Sequence, residues 1–374
     1  MLRRTDDGPE ERILMTEDPK ISFLCPSFNH GRYVSEFVRS VLAQTCPDWE
    51  LVLVDDASTD DNLQRLADFE DPRIRVVRHA YNQGINAALA DALGLARAPI
   101  CSLIASDDQL EATYVEVVLR EMRERPDSDV GFVQLSRMTA NGRLTGKVLG
   151  RVPLSVRDRL FERFFLDGAG FVSPGMVVRT SALRKILPFP RGICQRQDQL
   201  MEFQLAFSHS FFFIDRPLVR YRQCGEGIST ISDASSLRLE AESFVLMDEI
   251  SRLFKTDADV RRCFPSVDFF PKRPIEMRHI LFWLGRIALT SRLAERKVWG
   301  LSAIMQSMRT KEMQDDLQTM FGYSFADYMR DLERVPLKPS RERRKIRQLR
   351  GQVMLVSVLC ILSWLAFCLM KFFC

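Results

Sequence analysis

Short apolar, β-branched runs alternate with longer amphipathic stretches between Ile21 and Arg125. The four apolar runs read ISFLC, ELVLVDD, IRVVRH and ICSLIAS, and a helical pattern follows each of them. Strands that alternate with helices in this way are typical of a parallel sheet with connecting helices packed on its faces. Strands buried on both faces are almost continuously apolar, as these runs are. We therefore predict an α/β domain built on a mostly parallel sheet flanked by helices.

A polar segment follows each apolar run, at the point where the chain leaves the predicted strand. These segments read PSFN, DDASTD, NQG and SDDQ. Two of them contain paired carboxylates, Asp55 with Asp56 and Asp107 with Asp108. In open parallel sheets, ligands bind beyond the carboxyl ends of the strands. We therefore expect both acidic pairs at one edge of the sheet, next to a ligand site.

Helix capping is one explanation of these acidic segments. Asp108 and Glu111 have the spacing of a capping box, in which the first side chain bonds the start of the helix and the second bonds back. Ser58 or Thr59 could likewise cap the helix that follows the second strand. Under this explanation the carboxylates only stabilise helix ends.

Ligand binding is the other explanation. Like charges that converge on one rim repel each other unless a cation or a donor-rich group lies between them. Mg²⁺ or Mn²⁺ suits carboxylate oxygens combined with ligand phosphates. The sequence contains no GxxxxGK phosphate loop, and no GxGxxG follows the first strand. A nucleotide diphosphate held by side chains and a metal ion fits this combination.

Four ordered motifs carry a resemblance to a known family. The segment ISFLCPSFNHGRYVSEFVRSVLAQTCPDWELVLVDDASTDDN, followed by NQGINAAL and IASDDQL, resembles the N-terminal half of an inverting family 2 glycosyltransferase. The resemblance is strong from about residue 20 to residue 126 and continues more loosely to about residue 230. It implies a GT-A fold with a Rossmann-like sheet, a nucleotide diphosphate sugar donor such as a UDP-sugar, and Mg²⁺ or Mn²⁺ as cofactor.

The resemblance implies how the first two strand ends would bind the nucleotide. Pro26, Ser27 and Phe28 would form the first wall of the nucleotide pocket. Asp56 would accept a hydrogen bond from the base, and Asp55 would support its loop.

The third and fourth strand ends also receive roles from the resemblance. Gly84 would let the chain pass close to the nucleotide. Asp107 would face the ribose or the sugar, and Asp108 would ligate the metal ion. Many family members have another carboxylate at the start of this motif, where this chain has Ala105.

Inverting transfer needs a general base that deprotonates the acceptor hydroxyl. The segment RQDQLMEFQLA lies where family members carry this acidic residue, which makes Asp198 the expected base and Glu202, one turn further, the alternative. Gln197 stands where the family often has Glu. Capping of a helix is the other explanation of Asp198.

The segment RYRQCGEGIST resembles a family segment in which a histidine often approaches the diphosphate. Cys224 occupies that position in this chain. The resemblance therefore leaves Arg222, or Arg220, to supply the positive charge.

Positive charge is concentrated in the tail. The formal net charge is +4, yet residues 338–374 carry eight Lys or Arg and a single Glu. The remaining chain is mildly acidic, which argues against nucleic acid as a partner. The nine cysteines are scattered, with no CxxC pair and no Cys/His cluster suited to zinc, so we expect reduced thiols.

The tail also has the pattern of a membrane anchor. KPSRERRKIRQLRG precedes VMLVSVLCILSWLAFCLM, an uncharged apolar run of 18 residues. As a helix, the chain from Val353 to its end would extend about 33 Å, enough for a hydrocarbon core of about 30 Å. Flanking basic residues stay on the cytoplasmic side. We therefore predict a single-pass C-terminal anchor in the inner membrane with a cytoplasmic catalytic domain; a buried helix is the alternative.

The predicted organisation has five parts. They are a flexible N-terminal arm (1–18), a GT-A domain (19–230), a helical region (231–337), a basic juxtamembrane segment (338–351) and a transmembrane anchor (352–374). The GT-A domain divides into a nucleotide-sugar half (19–136) and an acceptor half (137–230). The arm is charged and lacks the apolar core of a secretory signal.

These patterns lead to one leading function and one main rival. The leading function is metal-assisted transfer of a sugar, with inversion, to a glycan or lipid-linked acceptor at the cytoplasmic membrane face, in surface glycan or glycolipid synthesis. The rival is a non-catalytic nucleotide-sugar-binding protein or membrane scaffold that keeps the fold, favoured by Ala105, Gln197 and Cys224. A phosphate-accepting receiver domain, suggested by LVLVDDAS, fits poorly because the acidic pair follows the second strand.

Overall fold

The computed structural model describes residues 18–168, 170–171, 173–224 and 233–335. The chain forms two compact units, Met1–Arg309 and Thr310–Cys374. The described part of the second unit consists of two helices, α13 (Lys311–Phe321) and α14 (Phe325–Arg334). All features that follow belong to the first unit.

A nine-stranded sheet forms the centre of the first unit. Its strands are β1 (Ile21–Ser27), β2 (Trp49–Asp55), β3 (Ile74–Arg78), β4 (Ile100–Leu103), β5 (Gln109–Leu110), β6 (Val130–Thr139), β7 (Leu144–Leu149), β8 (Met176–Arg179) and β9 (Phe211–Gln223). They lie in the order β3-β2-β1-β4-β8-β6-β9-β5, and β7 pairs with β6. The four strands predicted from the apolar runs are confirmed as β1 to β4.

Helices connect these strands and continue after the last of them. Within the described part of the first unit they are α1 (Gly31–Leu42), α2 (Asn62–Leu66), α3 (Ile85–Leu95), α4 (Tyr114–Glu124), α5 (Leu154–Arg157), α6 (Leu160–Asp167), α7 (Thr180–Ile186), α8 (Gln197–Ser208), α9 (Asp233–Ser251), α10 (Asp257–Cys263), α11 (Ile280–Leu289) and α12 (Ala294–Ser307). A single 3₁₀ turn, Met277–His279, precedes α11.

Strand direction differs from the prediction in the second half of the sheet. β1 pairs in parallel with β2 and β4, and β2 with β3, as expected. β6 also pairs in parallel with β9 along Val130–Thr139, whereas β8 is antiparallel to both β4 and β6, β7 to β6, and β5 to β9. Parallel pairing therefore predominates as predicted, but the sheet as a whole is mixed. β8 is only four residues long and enters between β4 and β6, so the result is a mixed sheet.

An Asn-Gly pair, Asn141 and Gly142, forms the turn of the hairpin between β6 and β7. Gly142 has φ +80°, a left-handed conformation that glycine adopts without strain.

The core is built from both faces of β1 and β2. α1 buries Val34, Phe37, Val38 and Val41 against the same cluster as Phe23, a helical spacing of apolar residues that the sequence made visible.

The helical region packs against the sheet-containing part. α9 contacts α8 and α12, and α11 contacts α6. The predicted boundary at residue 230 therefore does not coincide with a division between compact units, because the first unit extends to residue 309.

Several predicted segments lie outside the described residues. They are residues 1–17 of the N-terminal arm, the basic juxtamembrane segment and the transmembrane anchor. Within the described ranges, every helix is too short or too polar to cross a membrane.

Candidate active site

A chain of polar side chains joins the carboxyl ends of β1, β2 and β4. Asn62 donates a hydrogen bond to Asp55 Oδ2 at 2.6 Å and one to Ser27 Oγ at 3.2 Å. Ser106 Oγ lies 2.8 Å from Ser27 Oγ and 2.8 Å from His30 Nδ1. Asp55 is fully buried in this network and supports the loop after β2.

The loops after β1 and β2 are hydrogen-bonded to each other. The Asn29 backbone N–H donates to Ser58 Oγ at 2.9 Å, and the Thr59 N–H donates to Asn29 Oδ1 at 2.9 Å. Neither Ser58 nor Thr59 caps α2, whose N-cap position is Asp61. Capping by Ser58 or Thr59 is therefore wrong, although Asp60 in the same segment accepts the N–H groups of Gly31 at 2.8 Å and Asn62 at 3.1 Å, the first residues of α1 and α2.

Asp56 is fixed by three donors from the loop between β3 and α3. The backbone N–H groups of Gln83 and Gly84 each donate to it at 2.8 Å, and His79 Nδ1 lies 2.7 Å from Oδ1. Gly84 has φ +88°, so a side chain here would be strained. A carboxylate has about four acceptor sites, which leaves Asp56 able to accept one more hydrogen bond, such as one from a base.

The predicted wall of the nucleotide pocket contains side chains with different exposure. Phe28 is 42 % exposed, an unusual position for a large aromatic ring and one that suits stacking or packing on a ligand. Pro26 is half-buried, whereas Ser27 is buried and bonded to Asn62. Of the three residues, Phe28 is the one whose side chain is exposed and available to contact a ligand.

Asp108 is a buried carboxyl group with one unused oxygen. Its Oδ1 accepts the backbone N–H of Arg222 at 2.8 Å, while Oδ2 has no hydrogen-bond partner among the described residues. Burial, followed by the charge of Asp107, raises the pKa of Asp108 well above its ordinary value. Asp108 does not cap a helix, because α4 begins later with Thr113 as its N-cap, so the capping explanation is wrong here too.

The acidic pair fits a divalent cation. Asp107 is more exposed than Asp108, so two carboxylates meet at the edge of the site, where a cation would relieve their repulsion. Across the described ranges, no group of three or more His, Cys, Asp or Glu side chains forms a complete metal site. The pair therefore suits an ion that completes its coordination with phosphate oxygens and water, as Mg²⁺ commonly does.

Arg222 holds the acidic turn in place. Its guanidinium is buried and donates to the Asp107 carbonyl at 2.7 Å, to the Ala140 carbonyl at 2.9 Å and to Glu36 Oε2 at 2.6 Å. The sequence assigned Arg222 to the diphosphate, but the structure places these nitrogens against protein oxygens. The diphosphate contact stays a prediction, and the observed role of Arg222 is to position Asp107 and Asp108.

The expected base lies at the start of α8. Asp198 is half-buried in the first turn, and burial raises its pKa to about 6, opposed in part by a hydrogen bond from Ser173. Glu202, one turn further, is buried and accepts the Phe171 N–H at 2.9 Å. Burial and the charge of Asp198 raise the pKa of Glu202 well above its ordinary value. A carboxyl group that titrates near neutral pH is suited to act as a general base, and Asp198 is the more accessible one.

Tyr221, which the sequence analysis did not identify, interacts electrostatically with the Asp107–Asp108 pair and with Asp198. Burial raises the pKa of its phenol, and the charges of Asp108, Asp107 and Asp198 raise it further, in that order. One side chain thus lies within electrostatic reach of the predicted metal ligand and of the predicted base.

Asn86 is a second residue that the sequence missed. It lies in the first turn of α3, and its Nδ2 donates to the carbonyls of Pro190 at 2.8 Å and Ile193 at 2.7 Å. These bonds tie the nucleotide-sugar half to the loop before α8. The sequence signal that could have identified Asn86 is a polar side chain in the otherwise apolar first turn of α3.

Part of this chain is similar in sequence to known proteins. Residues 22–187 match the family model described as glycosyl transferase family 2. The putative teichuronic acid biosynthesis glycosyltransferase TuaG of Bacillus subtilis is 38% identical over 126 residues, which are 33% of this chain and 50% of TuaG. Chondroitin synthase of Escherichia coli is 37% identical over 116 residues, 30% of this chain and 17% of that protein. This chain thus spans half or less of the length of these two relatives.

Solved structures agree on the fold. TarS residues 1–349 of S. aureus in complex with UDP-GlcNAc gives a TM-score of 0.53 at 18% identity, covering 80% of this chain and 92% of that one. Together with the mixed sheet and the acidic strand ends, this likeness defines a GT-A fold. Residues 22–187 thus resemble the catalytic domain of family 2 glycosyltransferases in sequence, and the fold around them is of the GT-A type.

Proposed function

We propose that this protein transfers a sugar from a nucleotide diphosphate sugar to an acceptor hydroxyl with inversion at the sugar carbon. The observation that supports it most directly is the position of Tyr221. The pKa of its phenol is raised by burial and by the charges of Asp108, Asp107 and Asp198. In this proposal the acidic pair binds the donor, and Asp198, whose pKa burial raises to about 6, acts on the acceptor.

We infer that the donor is a UDP-sugar. The base would lie between the exposed ring of Phe28 and the loop of Gly84, where Asp56 can accept its N–H. This inference is supported by the TarS structures, which contain UDP and UDP-GlcNAc and share this fold.

Asp108, with Asp107 beside it, would hold Mg²⁺ or Mn²⁺ next to the diphosphate. When bound, such a cation neutralises the negative charge that the leaving diphosphate gains. The unused Oδ2 of Asp108 supports this assignment, since a buried carboxylate oxygen without a partner is costly.

The chemical step is a single displacement. Asp198 accepts the proton of the acceptor hydroxyl as that oxygen attacks the sugar carbon from the face opposite the diphosphate. The new C–O bond forms while the bond to the diphosphate oxygen breaks, and its electron pair leaves with the nucleotide diphosphate. Attack from the opposite face inverts the configuration, and the positioned base lowers the barrier by removing the proton.

We propose that the acceptor is a glycan or lipid-linked glycan precursor at the cytoplasmic face of the inner membrane. The basic segment 338–351 and the apolar run after it support this location. Two relatives support the surface glycan: TuaG is named for teichuronic acid biosynthesis, and WfgD of Escherichia coli is named for glucosyl transfer to a GlcNAc-diphosphoundecaprenol. Membrane retention of the full chain after an alkaline carbonate wash tests the anchor, and its release into the supernatant would contradict it.

Turnover of a UDP-sugar panel by the full-length protein tests the activity. We expect Asp198→Asn and Asp108→Ala each to lose at least about a hundred-fold in kcat, as removal of a general base or of charge stabilisation typically does. Asp68→Asn, an exposed carboxylate, is the matched control and should keep parental turnover. Parental turnover in both site variants would refute the assigned mechanism.

Loss of catalysis with retention of the fold is the second candidate. It is favoured by Ala105, which stands where the usual motif has its first carboxylate, and by Gln197 and Cys224, which stand where the family often has Glu and His. Calorimetry that detects nucleotide binding without turnover on any donor and acceptor pair would support this candidate over the enzyme.

A further inference from the structure

Glu242, on α9, lies against the segment that leads into α8. Its Oε2 accepts the backbone N–H groups of Gln195 at 2.7 Å and Arg196 at 2.9 Å. Its Oε1 accepts the Cys194 thiol at 3.2 Å. The side chain is only 5 % exposed, so all three bonds are made away from water.

These bonds fix the backbone immediately before α8, at Gln195 and at the N-cap residue Arg196. The first N–H groups of a helix have no partner within the helix, and a Ser, Thr, Asp or Asn at the N-cap normally satisfies one of them. The N-cap of α8 is Arg196, which makes no side-chain capping bond. The carboxylate of Glu242, from another helix, instead holds the N-cap residue and the residue before it, and its negative charge is favourable near a helix N-terminus.

The helices that hold α8 lie outside the residues of the family match. A guanidinium nitrogen of Arg196 is 3.7 Å from Glu295 on α12. α9 and α12 are themselves joined, because Trp299 Nε1 donates to Asp248 Oδ1 at 2.8 Å. The start of α8 is thus fixed from two sides by the helical region that follows the sheet.

The geometry points to Glu242 as a positioning residue for the candidate base, and this inference rests on the proposed function. Asp198 follows Arg196 by two residues and lies in the same helical turn. The carboxylate of Glu242 sets where this turn begins and therefore where Asp198 meets the acceptor hydroxyl. The donor contacts lie instead on β1, β2 and the loops after β3 and β4, so Glu242 should influence the chemical step more than donor binding.

Two substitutions separate these roles. Glu242→Ala removes the acceptor of both N–H groups, and we expect kcat to fall by about ten-fold or more while the donor KM stays within about two-fold, because small displacements of a reacting group are costly. Glu242→Gln keeps a carbonyl oxygen that can accept both N–H groups and should retain most of kcat. Glu240→Ala, at an exposed position of the same helix, is the control and should behave as the parent.

Hydrogen–deuterium exchange gives a readout that does not depend on turnover. In Glu242→Ala, amides in a peptide covering residues 195–200 should exchange faster, while peptides from β1 and β2 should not change. Parental kcat and parental exchange in Glu242→Ala would overturn the inference, as would an equal loss in Glu240→Ala or a loss explained by a lower Tm. If the parent chain transfers no sugar, the proposed function fails, and unchanged exchange at 195–200 would separately overturn the positioning role.

Discussion

Asp198 lies in the first turn of α8 with a pKa that burial raises to about 6. A general base acts only when it is deprotonated, so kcat/KM should fall as the pH drops through this value. We expect an acid limb with a midpoint near pH 6 and a ten-fold loss per unit below it. The pH profile of transfer by the full-length protein measures this limb. A profile that stays flat down to pH 4.5 would remove Asp198 from the role.

The same pKa predicts a stability effect. Because the folded chain binds the Asp198 proton more tightly than the unfolded chain, this group lowers the free energy of unfolding as the pH rises from about 4 through about 6. Asp198→Asn removes the effect. The variant should therefore be more stable than the parent at pH 8 and no more stable at pH 4, as measured by urea unfolding. Equal differences at both pH values would contradict the raised pKa.

Ala57 has φ +61°, directly after the base-contact candidate Asp56. A left-handed conformation costs an L-residue about 1–2 kcal/mol, whereas glycine adopts it freely but loses about 0.5–1 kcal/mol in unfolded-state entropy. Ala57→Gly should therefore raise the free energy of unfolding by about 0.5–1 kcal/mol, seen as a higher urea midpoint at constant slope. Ala67→Gly, where the backbone is right-handed, is the control and should not stabilise.

At the scale of elements, α11 and α12 pack at the closest approach of two glycines. A Cβ on Gly285 would lie 2.8 Å from the Gly300 carbonyl oxygen, and one on Gly300 would lie 2.7 Å from the Gly285 carbonyl. Backbone cannot move aside as a side chain can. Gly285→Ala should therefore destabilise the first unit by about 1–3 kcal/mol, the usual cost of overpacking.

Gly94, in α3, provides the matched control for the Gly285→Ala substitution. It lies within α3, and a Cβ there would meet nothing within 4 Å. Gly94→Ala should stabilise by up to about 1 kcal/mol through helix propensity. Thermal and urea unfolding of the two variants should thus move in opposite directions. A neutral Gly285→Ala would show that α11 and α12 can separate at little cost.

The elements that the sequence predicted are those with a local signal. β1 to β4 are apolar runs, and the hairpin after β6 has an Asn-Gly pair, so both follow from periodicity and turn chemistry. The direction of β8 has no local signal, because strand pairing depends on residues far apart in the chain. Asp108 illustrates this, since the N–H that holds it belongs to a residue 114 positions later.

The residues of the candidate site likewise fall into those with a local sequence signal and those without one. Residue type and motif identified Asp107, Asp108 and Asp198, since carboxylates carry the chemistry themselves. Tyr221 and Glu242 were not identified, because their roles arise only when β9 and α9 pack beside the acidic groups. The burial that raises the pKa of Asp198 is likewise a property of packing.

At the scale of the whole molecule, the first unit combines a segment that matches the family 2 model with helices that follow it. The family match ends at residue 187, yet the candidate base is at position 198 and its helix is held from α9 and α12. Removal of the helical region should therefore not leave an active transferase, although the donor contacts lie on β1 to β4 and their loops.

Ligand-linked stability tests how the parts act together. A ligand that binds only the folded chain stabilises it by about 2.7 kcal/mol at a hundred-fold excess over Kd, and therefore raises Tm. We expect UDP to raise the Tm of the full chain, and Mn²⁺ to increase that rise, because the ion relieves the repulsion between the carboxylates of Asp107 and Asp108. In Asp108→Ala the UDP shift should persist and the Mn²⁺ increment should vanish. An Mn²⁺ increment that survives in this variant would place the ion elsewhere, and the absence of any UDP shift in the parent would contradict the nucleotide site itself.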